Sequence, residues 1–120
     1  MKLSHVDESG QPRMVDVSAK EPSRRNARAR AAVVLPDDVA ARFANGDLVT
    51  KKGSVVQTAI IAGTMAAKKT SELIPFCHPL AISACNFDTR LTDGGRLLIE
   101  CEVSVRDRTG VEMEALTAVS

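Results

Sequence analysis

Two segments with period-two alternation, separated by Asp93-Gly94-Gly95, restrict the fold more than any other feature of this chain. One face of the first segment carries Ala81, Ser83, Cys85, Phe87 and Leu91. One face of the second segment carries Leu97, Ile99, Cys101, Val103 and Val105. Such alternation is typical of a strand with one buried face, and an Asp-Gly pair favours a tight hairpin turn. The sequence therefore predicts an antiparallel β-hairpin.

The longest helical periodicity follows Ser54, a residue type that is favourable at a helix N-cap. Small and apolar side chains then recur every three or four positions in two rows, formed by Val55, Ala59, Ala62 and Ala66 and by Val56, Ile60 and Gly63. This spacing is that of an amphipathic helix, and Lys68-Lys69 suits its negative C-terminal end. We expect a helix that packs closely against a sheet or another helix.

The region before that helix is predicted to contain one strand and one shorter helix. Ala31–Leu35 is apolar and follows a basic stretch, so it is interpreted as a buried strand. Pro36-Asp37-Asp38 is a favourable helix start, because proline and acidic residues suit the first turn. This helix is expected to direct Val39 and Phe43 inward and to end at Asn45-Gly46.

Length and composition fit a single domain over residues 1–120. A chain of 120 residues with 44% hydrophobic content has room for one core. Residues 1–13 are mixed and turn-rich, and we expect them to be flexible. Residues 111–120 resemble the opening of an apolar helix, with no residue that ends it. We therefore expect the chain to be a fragment or to continue in its source.

The composition argues against several classes of function. A net charge of +1 is unlike that of a protein that coats a polyanion, and 2% aromatic residues leave no stacking platform for single-stranded nucleic acid. Cys77, Cys85 and Cys101 form no CxxC pair, so neither a disulfide scaffold nor a structural zinc site is expected. The chain has neither an apolar run long enough to span a membrane nor a signal-peptide core. These features predict a cytoplasmic domain with no metal, nucleic acid or membrane partner.

The first candidate site is Phe76-Cys77-His78, which Pro75 and Pro79 bracket so that no regular helix can form. The prolines hold Cys77 and His78 in a rigid loop, and such loops often carry functional side chains. In extended chain, neighbouring side chains point apart, so the pair is not expected to act together as nucleophile and base. Either one of them faces a ligand, or the thiol is buried and the histidine is solvated.

The second candidate site is Glu112-Met113-Glu114. Its two carboxylates share a face in extended chain and diverge in a helix. Placed together, they raise each other's pKa, which prepares a carboxyl group for proton transfer near neutral pH. The alternative is a solvated acidic turn at a helix N-terminus, where acids are favourable.

Two basic clusters are further candidates. Thr50–Ser54 places Lys52 just before the long helix, whose free N–H groups attract anions, and a lysine can also donate a proton. The second cluster consists of Arg24, Arg25, Arg28 and Arg30, in which Arg24 and Arg28 have the spacing of one helical face and the length to reach a phosphate. The alternative for these arginines is a solvated face or a subunit contact.

Four short strings occur along the chain in a fixed order. They are Met14–Ser18 (MVDVS), Lys52-Gly53, Leu73–Leu80 (LIPFCHPL) and Thr109–Thr117 (TGVEMEALT). The last two are long and specific. In this order, the strings resemble the cyclic pyranopterin monophosphate synthase family of molybdenum cofactor biosynthesis, the MoaC family, from about Met14 to Ser120.

The resemblance implies an α+β domain with a ferredoxin-like antiparallel sheet packed by helices. It implies a lyase that rearranges 3′,8-cyclo-7,8-dihydro-GTP to cyclic pyranopterin monophosphate and releases pyrophosphate. It also implies a cytoplasmic homohexamer, a trimer of dimers, with each active site at a dimer interface. The resemblance further implies that no metal or organic cofactor takes part in this chemistry, apart from Mg²⁺ that accompanies the triphosphate.

Carried over residue by residue, the resemblance implies that Lys52, His78 and Glu112 are catalytic and that Lys52 is an acid/base group. It implies substrate binding by Phe76, Cys77, His78, Met113 and Glu114. Phe76 and Ile60 depart from the family, which has leucine and arginine at these positions. The family also continues past Ser120 into a helix with an Asp and a Lys of the catalytic set. This departure leaves the alternative of a truncated, non-catalytic subunit that binds nucleotide or assembles with complete subunits.

Overall fold

The computed structural model describes residues 5–120 and shows an α+β fold, an antiparallel sheet with helices packed on it. Along the chain the elements are β1 (Ser23–Val34), α1 (Asp37–Ala40), β2 (Val49–Thr50), β3 (Gly53–Ser54), α2 (Val55–Lys68), α3 (Thr70–Leu73), β4 (Ala84–Leu91), β5 (Arg96–Asp107) and α4 (Glu112–Val119). None of the helices in this part of the chain is long and apolar enough to span a membrane.

The main sheet has the strand order β1-β5-β4, and both pairings are antiparallel. The predicted hairpin is confirmed: Leu91 pairs with Leu97, and the Gly95 amide donates to the Thr92 carbonyl at 3.0 Å to close the turn. The order of β1, α2, β4, β5 and α4, with β5 between β1 and β4, matches the first five elements of a ferredoxin-like arrangement. The expected fold class is therefore confirmed.

The core lies between the sheet and helices α2 and α4. Its most buried side chains come from β5 and from the start of α4, and they include Val103, Val105, Val111 and Ala115. Their burial follows the predicted alternation of β5. Helix α4 packs on β1 and β5 and against α2, so the core holds the N-terminal end of α4 in place.

The long helix is confirmed, and Ser54 caps it by accepting a hydrogen bond from the Gln57 amide at 3.0 Å. Of the two predicted rows, the one that contains Val56 and Gly63 faces the core. In the row that begins at Val55, Val55 (37%) and Ala62 are exposed, whereas Ala59 and Ala66 are half-buried. Ile60, at the position where an arginine was expected, is half-buried.

Helix α2 crosses α4 and β4 at Gly63, where no larger residue fits. A Cβ atom at Gly63 would lie 2.6 Å from the Ala118 carbonyl oxygen and 2.6 Å from the Phe87 ring. We therefore expect Gly63→Ala to lower the free energy of unfolding by about 1–3 kcal/mol, the usual cost of an overpacked core. Chemical denaturation measures this change. Gly94→Ala is the control, because no atom lies within 4 Å of a Cβ there. A Gly63→Ala protein as stable as the control would contradict the close packing.

Two predictions about the region before α2 are wrong in their extent. The strand is not confined to Ala31–Leu35, because β1 begins at Ser23 and takes in the basic stretch. Its end is not buried: Val33 is 43% and Val34 is 70% exposed, because Val34 pairs with Arg96 beside the hairpin turn on an edge strand. Inside β1, Ala27, Ala29 and Ala31 face the core, and Arg28 and Arg30 between them face solvent.

Helix α1 ends at Ala40 rather than at Asn45-Gly46. Asn45 and Gly46 adopt φ angles of 53° and 77°, which form a tight turn, and the Ala44 amide donates to the Asp47 carbonyl at 2.8 Å. Before that turn the hydrogen bonds change from the i→i−4 to the i→i−3 pattern, because the Arg42 amide donates to the Val39 carbonyl at 3.1 Å and the Phe43 amide to the Ala40 carbonyl at 3.2 Å. Val39 and Phe43 are half-buried, as the direction of the helix predicted.

The N-terminal region forms a turn in its described part. The Asp7 carboxylate accepts hydrogen bonds from the Ser9 and Gln11 amides at 3.0 and 2.9 Å, and Val6 pairs with Pro12. Residues 1–4 lie outside the described residues. The flexibility expected for residues 1–13 therefore stays a prediction.

Candidate active site

Both specific strings contribute to one cavity of about 330 Å³. Three segments line most of it: Val15–Lys20 before β1, Phe76–Leu80 between the prolines, and Thr109–Glu114 at the start of α4. These segments are far apart in sequence, so the fold of the chain brings them together. Of the sequence-predicted site residues, the cavity includes Phe76, Cys77, His78, Glu112, Met113 and Glu114.

The proline-bracketed loop is irregular, as predicted, and its strain lies at Phe76. This residue has a φ angle of 62°, which is uncommon for a bulky side chain and costs about 1–2 kcal/mol relative to ordinary backbone. The turn leaves Phe76 partly exposed at the cavity, with Cys77 and His78 half-buried beside it. Of the alternatives left open, the arrangement favours a loop that faces a ligand, because both Cys77 and His78 line the cavity.

The Cys77 thiol lies in an environment that disfavours the thiolate. Burial raises the pKa of this thiol, and the negative charge of Glu114 raises it further. A cysteine with a raised pKa remains a neutral thiol at physiological pH, so it is a weak nucleophile. In this cavity Cys77 is therefore suited to contact a ligand rather than to attack it.

The acidic string begins a helix, yet both of its carboxylates reach the cavity. The Glu112 side chain folds back against Gly110, so that a Cβ atom at Gly110 would collide with the Glu112 carboxylate. Glu114 points inward and is only 4% exposed. In a helix the side chains of Glu112 and Glu114 were expected to point in different directions. Both carboxylates nevertheless line the cavity, because the Glu112 side chain folds back toward Gly110.

Burial raises the pKa of Glu114, and the nearby charge of Glu112 raises it further. The buried carboxyl group is therefore held closer to its protonated form than an exposed glutamate would be. The expected influence of one carboxylate on the other is present at Glu114, but it is smaller than the effect of burial. A buried carboxyl group with a raised pKa is better suited than an exposed one to hold a proton and pass it to a ligand.

Lys20 is a cavity residue that the sequence reasoning missed, and it is the one lysine or arginine that lines the cavity in the described part of the chain. The Lys20 amide donates to the Val17 carbonyl at 3.1 Å, and the Lys20 carbonyl accepts from Arg108 Nε at 3.0 Å. The Asp16 carboxylate tightens the same turn by accepting from the Ser18 amide at 2.9 Å. The sequence around Lys20 could not indicate its place in the cavity, because Lys20 and its partner Arg108 are 88 positions apart in the chain.

Lys52 lies outside the lining of the cavity. It occupies the exposed turn between β2 and β3, where its amide donates to the Thr50 hydroxyl at 3.1 Å and the next residue, Gly53, has a φ angle of 107°. The structure thus brings six of the seven predicted site residues together and leaves Lys52 apart from them. The predicted roles of all seven residues remain predictions.

The arginine cluster forms part of a solvated sheet face. Arg28 contacts Glu102 at 2.7 Å and Glu100 at 3.3 Å, and Arg30 contacts Glu100 at 3.3 Å. These arginines lie on strand β1, so the helical face expected for Arg24 and Arg28 is wrong. Exposed ion pairs of this kind contribute little stability, at most about 1 kcal/mol each.

Comparison with known proteins gives a consistent result. The MoaC family matches residues 14–120. The chain is 50% identical over 119 residues to the cyclic pyranopterin monophosphate synthase of Xanthomonas campestris pv. campestris (strain B100), covering 99% of this chain and 72% of that protein. It is 48% identical over 120 residues to the synthase of that name from Desulfitobacterium hafniense, covering 100% of this chain and 72% of that protein.

A third relative is the molybdenum cofactor biosynthesis bifunctional protein of Synechocystis, which is 48% identical over 122 residues, covering 98% of this chain and 35% of that protein. These relatives are named for a biosynthetic activity, which does not favour the non-catalytic alternative. The match reaches both specific strings and the three segments that line the cavity. On these grounds, the chain belongs to the MoaC family.

Proposed function

We propose that this protein is a cyclic pyranopterin monophosphate synthase. In this role it is a lyase that converts 3′,8-cyclo-7,8-dihydro-GTP to cyclic pyranopterin monophosphate and releases pyrophosphate. The observation that carries the proposal is the single cavity formed by the proline-bracketed loop and the acidic start of α4. Family membership and the names of the relatives support the same reaction.

The cavity supplies groups that suit the two ends of such a substrate. Lys20 offers a positive charge to the phosphates, while Glu112 and Glu114 lie where a guanine-derived ring could donate hydrogen bonds to them. The rearrangement opens one ring, builds another and closes a cyclic phosphate, so it needs repeated proton transfers. In this proposal Lys52, His78 and Glu112 exchange these protons, as the resemblance implies. Glu114, for which the resemblance implies only substrate binding, joins them because its pKa is raised. Phe76, Cys77 and Met113 bind the substrate.

The proposal includes a cytoplasmic homohexamer in which Lys52 enters the cavity of a neighbouring subunit. Lys52 is exposed and lies outside the cavity of its own subunit, which is what a residue used across a dimer interface requires. Helix α2, which follows this turn, exposes Ile61 (62%) and Met65 (53%), side chains of the kind that subunit contacts bury. The proposal includes no resident cofactor, and Mg²⁺ enters only with the triphosphate of the substrate.

Lys20→Ala is expected to weaken substrate binding more than it slows the reaction. A contact between a charged donor and a phosphate contributes about 1.5–3 kcal/mol, so KM should rise about 10- to 100-fold with a small change in kcat. Steady-state kinetics of pyrophosphate release measures both constants. Lys68→Ala removes the same charge from the exposed end of α2, outside the cavity, and should leave KM unchanged. Equal KM values for the two variants would contradict the role of Lys20.

The proposed function can be tested in a bacterial strain that lacks its own cyclic pyranopterin monophosphate synthase. The complete natural protein that contains residues 1–120 is expected to restore the activity of a molybdenum enzyme in this strain. Its His78→Ala variant, produced at the same level, should not restore that activity. Restoration by neither protein, with both present and folded, would contradict the proposal.

A further inference from the structure

The turn that carries Lys52 is held at its base by one carboxylate. Asp47 Oδ1 accepts hydrogen bonds from the Leu48 amide at 2.7 Å and from the Val56 amide at 3.0 Å. Asp47 Oδ2 accepts a hydrogen bond from the Ser54 hydroxyl. The carboxylate therefore connects the chain just before the β2–β3 hairpin with the first turn of α2, which directly follows that hairpin.

The contacts of Asp47 connect the two ends of the hairpin, in addition to the capping of α2. Ser54 already caps α2, since its Oγ accepts from the Gln57 amide at 3.0 Å while donating to Asp47. The Val55 amide also donates to the Leu48 carbonyl at 2.9 Å. Together, Asp47, Ser54 and the Val56 amide form what we term the hairpin clamp. Its bonds hold the carboxylate in its charged form, and the Ser54 hydroxyl makes the largest contribution to lowering the pKa of Asp47.

The hairpin needs such support because its own pairing is minimal. Strands β2 and β3 have two residues each, and their register contains only the pairs Val49–Ser54 and Thr50–Gly53. A two-stranded hairpin is marginally stable on its own, even when it is longer than this one. Lys52 lies in its exposed turn, so the direction in which its ammonium group points depends on how firmly the base is held.

We propose that Asp47 is a positioning residue that sets the direction of Lys52 through the hairpin clamp. This inference rests on the proposed function, in which Lys52 is an acid/base group. A catalytic group that is misplaced by about 1 Å costs on the order of 100-fold in rate. Loosening the clamp therefore lowers the rate of the chemical step while the substrate-binding groups of the cavity remain in place.

Asp47→Asn tests the inference, because an amide keeps the shape of the carboxylate but loses one acceptor and the charge. In the complete natural protein, kcat should fall at least tenfold, with KM within about twofold of its original value. Asp38→Asn is the matched control: it removes an exposed carboxylate of α1 and should leave both constants unchanged. If Asp47→Asn does not fold, Asp47→Glu, which keeps the charge but shifts it by one methylene, serves in its place.

A double-mutant comparison separates positioning from general damage to the fold. In a Lys52→Ala background the added Asp47→Asn change should produce no further loss of residual kcat, because the group it positions is absent. A further loss of tenfold in that background, or a wild-type kcat for Asp47→Asn alone, would overturn the inference and leave the proposed function standing. A wild-type kcat for Lys52→Ala itself would overturn the role of Lys52, and the inference with it.

Discussion

Lys52→Ala and His78→Ala are each expected to lower kcat at least 100-fold while the protein folds and assembles normally. General acid–base groups typically contribute 10²- to 10⁴-fold to a rate, and the proposed reaction uses several proton transfers. Neither side chain belongs to the core: Lys52 is exposed, and His78 is half-buried at the edge of the cavity. Their removal should therefore affect the chemistry and leave the free energy of unfolding nearly unchanged.

Lys51→Ala is the matched control for this prediction. Lys51 precedes Lys52 in the same exposed turn and carries the same charge, so its loss changes the electrostatics of the hairpin equally. Steady-state kinetics of pyrophosphate release, together with size-exclusion chromatography, measures activity and assembly on the same samples. Wild-type rates for Lys52→Ala or for His78→Ala would contradict the catalytic role of that residue. Equal losses for Lys51→Ala and Lys52→Ala would indicate a general charge effect.

Glu114→Gln is expected to abolish most of the activity and to stabilise the fold at neutral pH. Glu114 is 4% exposed, and burial, followed by the charge of Glu112, raises its pKa. The native state therefore binds this proton more tightly than the unfolded chain does. As pH rises from the ordinary glutamate range through the raised native pKa, the contribution of Glu114 to stability falls. Glutamine carries no charge, so Glu114→Gln removes the loss of stability that a buried carboxylate causes at neutral pH. The same change removes the acid/base group and with it the activity.

Thermal unfolding across a pH series measures this effect. The midpoint of Glu114→Gln should exceed that of the unmodified protein at neutral pH, and the two should converge below the ordinary pKa of glutamate. Turnover by the same variant should fall at least 100-fold. Glu72→Gln, which changes an exposed carboxylate of α3, should show neither effect. A lower midpoint for Glu114→Gln at neutral pH would show that the buried carboxylate is stabilising and would contradict this account.

The elements that were predicted well are those whose residues show a clear local periodicity of apolar side chains. The β4–β5 hairpin follows from strict alternation around Asp93-Gly94-Gly95, and α2 follows from its apolar rows and the Ser54 cap. Strand β1 was predicted too short because its buried positions are alanines between arginines, a weaker signal than an apolar run. Helix α1 was predicted too long because its hydrogen-bond pattern changes before Asn45-Gly46, where the Arg42 and Phe43 amides donate to carbonyls three residues back.

The candidate site was predicted as separate strings, and its assembly depends on tertiary structure. No local pattern indicates that Cys77 lies close enough to Glu114 for the carboxylate to raise its pKa. Lys20 lines the cavity, and Arg108, which directly follows β5, donates a hydrogen bond to the Lys20 carbonyl. Asp47 was not predicted because its partners, Ser54 in β3 and Val56 in α2, lie seven and nine positions further along the chain. Such contacts arise only when the sheet, helices and loops pack together.

Conversion of 3′,8-cyclo-7,8-dihydro-GTP by the purified, complete natural protein that contains residues 1–120 tests the central claim most directly. The account predicts equal amounts of pyrophosphate and cyclic pyranopterin monophosphate, formed at a rate that His78→Ala lowers at least 100-fold. GTP itself, offered as a control, should release no pyrophosphate. Unchanged substrate in the presence of folded protein, or product formation that His78→Ala does not slow, would contradict the assignment of the reaction to this cavity.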